Sequence, residues 1–287
     1  DAATWDAATW DAATWDTVPM PVPDLAHSVR PLTQDPRSAA IFCDIDGTLA
    51  PIVEHPSQAR VPTQVAERLR DLAHRYARVA CVSGRRAVDA RGLVSVDGID
   101  YAGLHGAEIL RAGEDRPQLA PSVAEWEGRV RDFTATCDNP TLHALQVRVE
   151  DKGPIVAFHW RDVPDEEGAH AFLRSLAQRA SEAGFATHWG RKVLEIRPPV
   201  EISKAQAVRD MVLETRPKVA LYGGDDATDL DAFAALDALV AEGHLDDAVR
   251  VGVRSAEGPE EIVRRADLVV DGVEGFAEVL EQLAKSS

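Results

Sequence analysis

Cysteine is scarce in this chain. Only Cys43, Cys81 and Cys137 occur among 287 residues. Their number is odd and their spacing fits neither a zinc site nor a redox pair, which argues against a disulfide framework and for a reduced, cytoplasmic setting. Long apolar runs are missing too. No stretch approaches the ~20 residues that span a bilayer, and no charged-then-apolar secretory segment opens the chain. Positive charge is in deficit, with 31 basic against 48 acidic residues and a net charge of −17. Such a surface disfavours non-specific binding to nucleic acid or to an anionic membrane. What the chain does hold is 45% apolar residues, more than a disordered protein carries. Its length can bury a substantial core in one large domain or two modest ones.

The pentad Asp-Ala-Ala-Thr-Trp stands three times in succession, at 1–5, 6–10 and 11–15, and supplies three of the six tryptophans. A solenoid repeat needs roughly 20–50 residues per unit, so five are too few to make a structural unit. Residues 16–36 follow with five prolines and little periodicity. The range 1–37 therefore reads as an atypical tail and an extended lead-in.

Order begins at Ala39. The short apolar run Ala39-Ala40-Ile41-Phe42-Cys43 ends in Asp44-Ile45-Asp46-Gly47-Thr48-Leu49, the pattern of a buried strand feeding a loop. Val65, Leu69, Leu72 and Tyr76 then recur at helical spacing. Val79–Val82 runs into Ser83-Gly84-Arg85-Arg86, and a third strand is expected within 99–104. Val219–Tyr222 runs into Gly223-Gly224-Asp225-Asp226, with further strands at 249–253 and 268–270 and a closing amphipathic helix over 274–284. Apolar strands alternating with helices imply a parallel sheet covered on both faces. The middle reads differently: a helix over 123–137, strands over 145–149 and 155–160, a helix over 165–183, then strands over 185–188 and 192–197. The chain is thus expected to be α/β, a Rossmann-like parallel-sheet core (38–110 and 199–287) with an inserted α+β cap (111–198). A site between two such bodies could open and close around a substrate.

The chemistry sits after the core strands, where ligands bind in open parallel sheets. Asp44, Asp46 and Thr48, then Ser83, then Asp225, Asp226 and Asp229 all fall at such strand ends. Clustered carboxylates repel unless a cation joins them, and oxygen-only ligands favour Mg²⁺. One of two aspartates spaced two apart could attack while the other handles protons, since an aspartate nucleophile is an established form of covalent catalysis. Gly47 permits a tight turn that lets amides approach a phosphate. Taken singly, each piece also fits a turn, a helix cap or a solvated lysine; their ordered arrival at strand ends is what points to a site.

The ordered set Asp44-Ile-Asp-Gly-Thr-Leu, Ser83, Lys204 and Gly224-Asp225-Asp226 resembles the four motifs of the haloacid dehalogenase superfamily of phosphohydrolases. Over about 38–285 the chain is similar to the trehalose-6-phosphate phosphatase family within it. That narrower likeness rests on Asp44–Ile52 with Pro56, Tyr101-Ala-Gly-Leu-His-Gly-Ala-Glu108, Gly190-Arg-Lys-Val-Leu-Glu-Ile-Arg-Pro198 and Tyr222-Gly-Gly-Asp-Asp-Ala-Thr-Asp229. The resemblance implies Asp44 as nucleophile, Asp46 as general acid and later base, and Lys204 as the neutralising charge. It implies Thr48, Ser83 and Gly84 as phosphate contacts, and Mg²⁺ held by Asp44, the Asp46 carbonyl and Asp225, with Asp226 and Asp229 supporting from behind. It maps sugar recognition to Glu150, Lys152 and Arg161 on one strand pair and to Arg191 and Glu195 on the other. Gly103, His105 and Gly106 would shape the cleft rim, and His105 fits a structural loop histidine equally well.

Two positions depart from the family pattern: Arg191 stands where lysine is usual, and Ala205 where glycine is usual. Both bear on substrate fit more than on the reaction. The implied activity is hydrolysis of trehalose 6-phosphate, the last step in making trehalose, through an aspartyl-phosphate. Rivals are a relative acting on sucrose phosphate or a mannosyl phosphate, and an inactive domain that senses trehalose 6-phosphate. The expected partner is a small sugar phosphate, with neither nucleic acid nor membrane; a monomer is compatible with the sequence, which does not fix the oligomeric state. Lys152, Arg161, Arg191 and Lys204 would supply local positive charge inside an acidic protein.

Overall fold

The computed structural model describes residues 25–53, 58–190, 192–255 and 258–285; the pentad repeat and Arg191 lie outside these ranges. Among the described residues twelve strands are formed: β1 (Ala39–Cys43), β2 (Arg78–Val82), β3 (Asp100–Gly103), β4 (Glu108–Leu110), β5 (Gln118–Leu119), β6 (Arg148–Asp151), β7 (Val156–His159), β8 (Ala186–Gly190), β9 (Val193–Arg197), β10 (Val219–Gly224), β11 (Asp247–Arg254) and β12 (Leu268–Asp271). Eight of them make one sheet in the order β12-β11-β10-β1-β2-β3-β4-β5. From β12 to β3 every pairing is parallel, and β4 and β5 extend the edge antiparallel.

The central strand shows why continuous apolar runs were needed. Ile41 and Cys43 pack with Leu69, Leu72, Val279 and Leu280 on one face, while Ala40 and Phe42 pack with Val208, Met211, Phe233 and Leu236 on the other. Both faces of β1 are therefore dry, and all five of its residues are buried. Helices Thr63–Ala73 and Gly272–Lys285 supply the first layer, and Lys204–Thr215 and Asp229–Ala241 the second.

The second sheet is antiparallel, in the order β6-β7-β9-β8. Alternation divides its faces. Val156, Phe158, Leu194 and Ile196 pack against Val130, Leu173 and Leu176 of helices Pro121–Ala135 and Glu166–Glu182. Arg148 pairs with His159, Glu150 with Ala157, and Ala157 with Glu195, which puts a charged row on the opposite face.

Three local expectations change. The lead-in is not extended over its described part: Leu25–Ser28 and Arg30–Thr33 are short helices, and Val29 between them and Leu32 in the second are buried against the large sheet. The 4- and 3-residue spacing of Leu25, Val29 and Leu32 makes an apolar stripe that the prolines obscured. The strand expected at 145–149 begins instead at Arg148. Before it lies the helix Pro140–Ala144, begun by Asn139, whose side chain accepts from the Thr141 and Leu142 amides. The large sheet also takes Gln118–Leu119 from the range assigned to the insert.

Candidate active site

Strands β1, β2 and β10 end side by side, so the loops that follow them meet. Asp44 leaves β1 with its amide bonded to the Gly223 carbonyl at 2.9 Å, and Ser83 leaves β2. Lys204 enters from the other side of the chain. It is the first residue of helix Lys204–Thr215, whose start is fixed by Ser203 Oγ accepting from the Gln206 amide.

Lys204 is 2% exposed, and its Nζ donates to Asp44 Oδ1 at 2.8 Å and to Asp229 Oδ1 at 2.7 Å. Asp229 is 0% exposed and uses both oxygens fully. Its Oδ1 also accepts from the Tyr222 hydroxyl at 2.6 Å, and its Oδ2 accepts from the Asp225 and Asp226 amides at 3.0 Å each. Asp226 is half exposed and caps the turn ahead, accepting from the Thr228 amide and hydroxyl and the Asp229 amide.

Asp44, Asp225 and Asp229 can each bring an oxygen within 4.8 Å of the others. Burial pushes Asp44 well above the ordinary carboxylate range, with Lys204 pulling the other way. Asp225 is pushed up to about 7 by burial first and then by the charges of Asp229 and Asp226. Buried carboxylates held close at this cost fit a hard divalent cation, which oxygen donors select. With Asp229 saturated by four donors, Asp44 and Asp225 are the carboxylates with oxygens to offer. Gly47 shapes their surroundings: its φ is +89°, and a Cβ there would fall 2.1 Å from Asp225 Oδ2.

Not every expected residue faces the cleft. Thr48 is fully buried and turns its hydroxyl to Asp225 Oδ1, 3.4 Å away, because that carboxylate is the acceptor within reach. Asp46 is 39% exposed, and Arg85 grips it with Nε to Oδ2 at 2.7 Å and Nη2 to Oδ1 at 2.6 Å. The sequence gives no sign of this role for Arg85, although it follows Ser83-Gly84 directly. Tyr222, counted as an apolar strand residue, is a hydrogen-bond donor to the site.

Asp44, Asp46, Ser83, Gly84 and Asp226 share a cleft of about 1100 Å³ with Glu150 and Lys152 from the second sheet. Lys152 Nζ donates to Glu195 Oε1 at 3.1 Å, and Arg197 Nε donates to Glu195 Oε2 at 2.9 Å. Burial would raise Glu195, but Arg197 and Lys152 outweigh it and hold the carboxyl below its usual value. Glu150 Oε2 lies 2.8 Å from His159 Nε2. Arg161 is exposed in the turn after β7 and does not line the cleft.

A parallel sheet carrying an Asp-x-Asp loop, a buried lysine and an acidic cluster at its carboxyl edge, with an inserted α+β unit, has the fold of haloacid dehalogenase-like proteins. The family model for trehalose-phosphatase matches residues 42–262, and the chain belongs to that family. It is 34% identical over 212 residues to the trehalose-phosphate phosphatase of Mycobacterium avium, covering 70% of this chain and 52% of that one. An uncharacterized glycosyl hydrolase of Mycobacterium tuberculosis is 35% identical over 207 residues, covering 70% of this chain and 15% of its own. The chain thus spans about half the length of the first of these relatives and a small part of the second. A solved trehalose-6-phosphate phosphatase related protein is similar at a TM-score of 0.62 and 25% identity, over 85% of this chain and 96% of that one. The C-terminal domain of Candida albicans trehalose-6-phosphate phosphatase shares the fold at a TM-score of 0.66 and 20% identity, over 93% and 98%.

Proposed function

We propose that this chain is a Mg²⁺-dependent phosphatase that hydrolyses trehalose 6-phosphate to trehalose and phosphate in the cytoplasm. The observation that carries the reading is the buried Lys204–Asp44 contact of 2.8 Å at the floor of the cleft that Glu150 and Lys152 also line. It supplies a carboxylate aimed by a cation, beside groups able to bind a sugar. The core would comprise 38–119 and 199–287, and the cap 120–198, since Gln118–Leu119 pairs into the large sheet.

The residues divide the work. Asp44 attacks phosphorus in line, forming an acyl-phosphate bond as the bond to the sugar oxygen breaks. Lys204 offsets charge on Asp44 and on the transferring group. Ser83 and the Gly84 backbone donate to phosphate oxygens, while Thr48 orients Asp225. Asp46 gives the leaving oxygen its proton, then takes one from the water that releases phosphate from Asp44. Since both Asp46 oxygens are engaged by Arg85, that grip must loosen before the proton moves. Mg²⁺ held by Asp44, Asp225 and the Asp46 carbonyl would neutralise phosphate charge. Glu150, Lys152 and Glu195 offer the donors and acceptors that sugar hydroxyls need, with Arg191 assigned the same task by the resemblance alone.

Phosphate release from trehalose 6-phosphate, with and without EDTA, tests this reading. Turnover that needs Mg²⁺ and disappears in Asp44→Asn and Asp46→Asn, both still folded by circular dichroism, is expected. Full activity in both variants refutes the mechanism. Strong activity on sucrose phosphate or a mannosyl phosphate beside weak activity on trehalose 6-phosphate refutes the substrate, and tight binding without turnover in Mg²⁺ refutes the enzyme.

A further inference from the structure

His105 is held in place at a conformational cost. It and Leu104 both adopt left-handed backbone, at φ 59° and 52°, which residues bearing a Cβ disfavour. Two hydrogen bonds fix this turn to the loop after β2: the His105 amide donates to the Ser83 carbonyl at 2.9 Å, and the Leu104 amide to the Arg85 carbonyl at 2.8 Å. The imidazole consequently lies against Gly84, where a Cβ would fall 2.7 Å from Nε2 and 2.9 Å from Cε1. Glycine at 84 is what leaves room for the ring.

The ring is nevertheless unspent. It lines the cleft with Asp44, Gly84 and Lys152, and neither nitrogen has a hydrogen-bond partner among the described residues. Charged groups bear on it from both bodies, Lys204 and Asp226 from the core and Arg197 and Glu195 from the cap side. Burial, then the two cations, outweigh the two carboxylates and bring its pKa down to about 4. The imidazole is therefore neutral at any ordinary working pH, with one nitrogen that donates and one that accepts. A phosphate needs donors only. A hydroxyl group both donates and accepts, and suits such a ring.

We propose that His105 is a substrate-positioning residue that hydrogen-bonds the sugar hydroxyls next to the phosphate-bearing carbon and so aligns the leaving oxygen over Asp44. The inference rests on the sugar-phosphatase reading above and deepens it. It predicts selectivity between substrates, since an aryl phosphate carries no such hydroxyls.

The test compares trehalose 6-phosphate with p-nitrophenyl phosphate in wild type, His105→Asn and His105→Ala. Asparagine tolerates left-handed backbone and guards against a folding failure; unchanged thermal unfolding verifies it. For trehalose 6-phosphate kcat/KM should fall about tenfold, the worth of one well-made hydrogen bond, carried mainly by KM. For p-nitrophenyl phosphate it should stay within about twofold. Equal losses on both substrates would assign His105 a merely structural role, and no loss on either would remove it from recognition; each overturns the inference alone. If wild type hydrolyses a different sugar phosphate, the trehalose assignment falls and the same comparison is run on that sugar. Turnover of the aryl phosphate but of no sugar phosphate refutes both readings.

Discussion

Replacing Asp229 by asparagine separates two roles for that carboxylate, a strut or a metal ligand. Four donors converge on it: Lys204 Nζ, the Tyr222 hydroxyl and the amides of Asp225 and Asp226. Asparagine keeps one accepting oxygen and turns the other into an NH₂ group that faces donors. Whichever way the amide lies, two hydrogen bonds are lost. Bonds to a charged group contribute about 1.5–3 kcal/mol each, and removing one partner from a buried ion pair costs roughly 3–5 kcal/mol. Lys204 retains Asp44, which limits the loss to about 3–5 kcal/mol. Since Asp229 is 0% exposed, solvent screening gives no relief. In urea unfolding with EDTA present, the midpoint should fall accordingly, and the melting temperature by about 10 °C for a chain of this size. If Asp229 were instead a metal ligand, it would mainly repel Asp44 and Asp225 in the metal-free protein, and asparagine would be neutral or stabilising there. A loss under about 1 kcal/mol in EDTA refutes the strut.

Gly47→Ala should leave a folded protein with Mg²⁺ affinity and turnover both reduced at least about a hundredfold, because the new Cβ meets the Asp225 carboxylate and residue 47 must keep φ +89°; calorimetric Mg²⁺ binding equal to wild type would refute this. Mg²⁺ should protect more at pH 8 than at pH 6. Asp225 is raised to about 7, chiefly by burial, so the folded state holds that proton more tightly than the unfolded chain does. Its contribution to stability is present below about pH 4 and is lost as pH rises through about 7. A metal ion competes with the proton at low pH and answers the bare charge at high pH. The difference in melting temperature between Mg²⁺ and EDTA should therefore widen from pH 6 to pH 8, and equal differences would refute the assignment of Asp225 to the metal.

The central strands were readable because burial on both faces forces a continuous apolar run, as Ala39–Cys43 shows. The site was readable where its residues follow those strands directly, as Asp44, Ser83 and Asp225 do. Residues whose role depends on a partner distant in sequence were harder to see. Tyr222 looks like any strand aromatic until its hydroxyl meets Asp229, and Arg85 like a turn arginine until it meets Asp46. The edge strands Glu108–Leu110 and Gln118–Leu119 are too short for a period of two to register. Thr48 shows the converse: a motif names a residue without saying which neighbour its hydroxyl will satisfy.

The deficit of positive charge acquires a physical meaning at this site. A protein with 48 acidic and 31 basic residues repels a phosphate dianion at long range, so attraction must come from charges that water does not screen. Lys204, 2% exposed, is such a charge, but Asp44 and Asp229 already balance it. A divalent cation between Asp44 and Asp225 would tip the balance toward the substrate. Arg85 is a further positive charge that lines the cleft, and its guanidinium fork fits a phosphate as well as it fits Asp46. A substrate that competes for Arg85 would at the same moment free Asp46 for proton transfer. Under the proposed function, charge balance would thus couple arrival of the phosphate to release of Asp46, which otherwise stays engaged with Arg85.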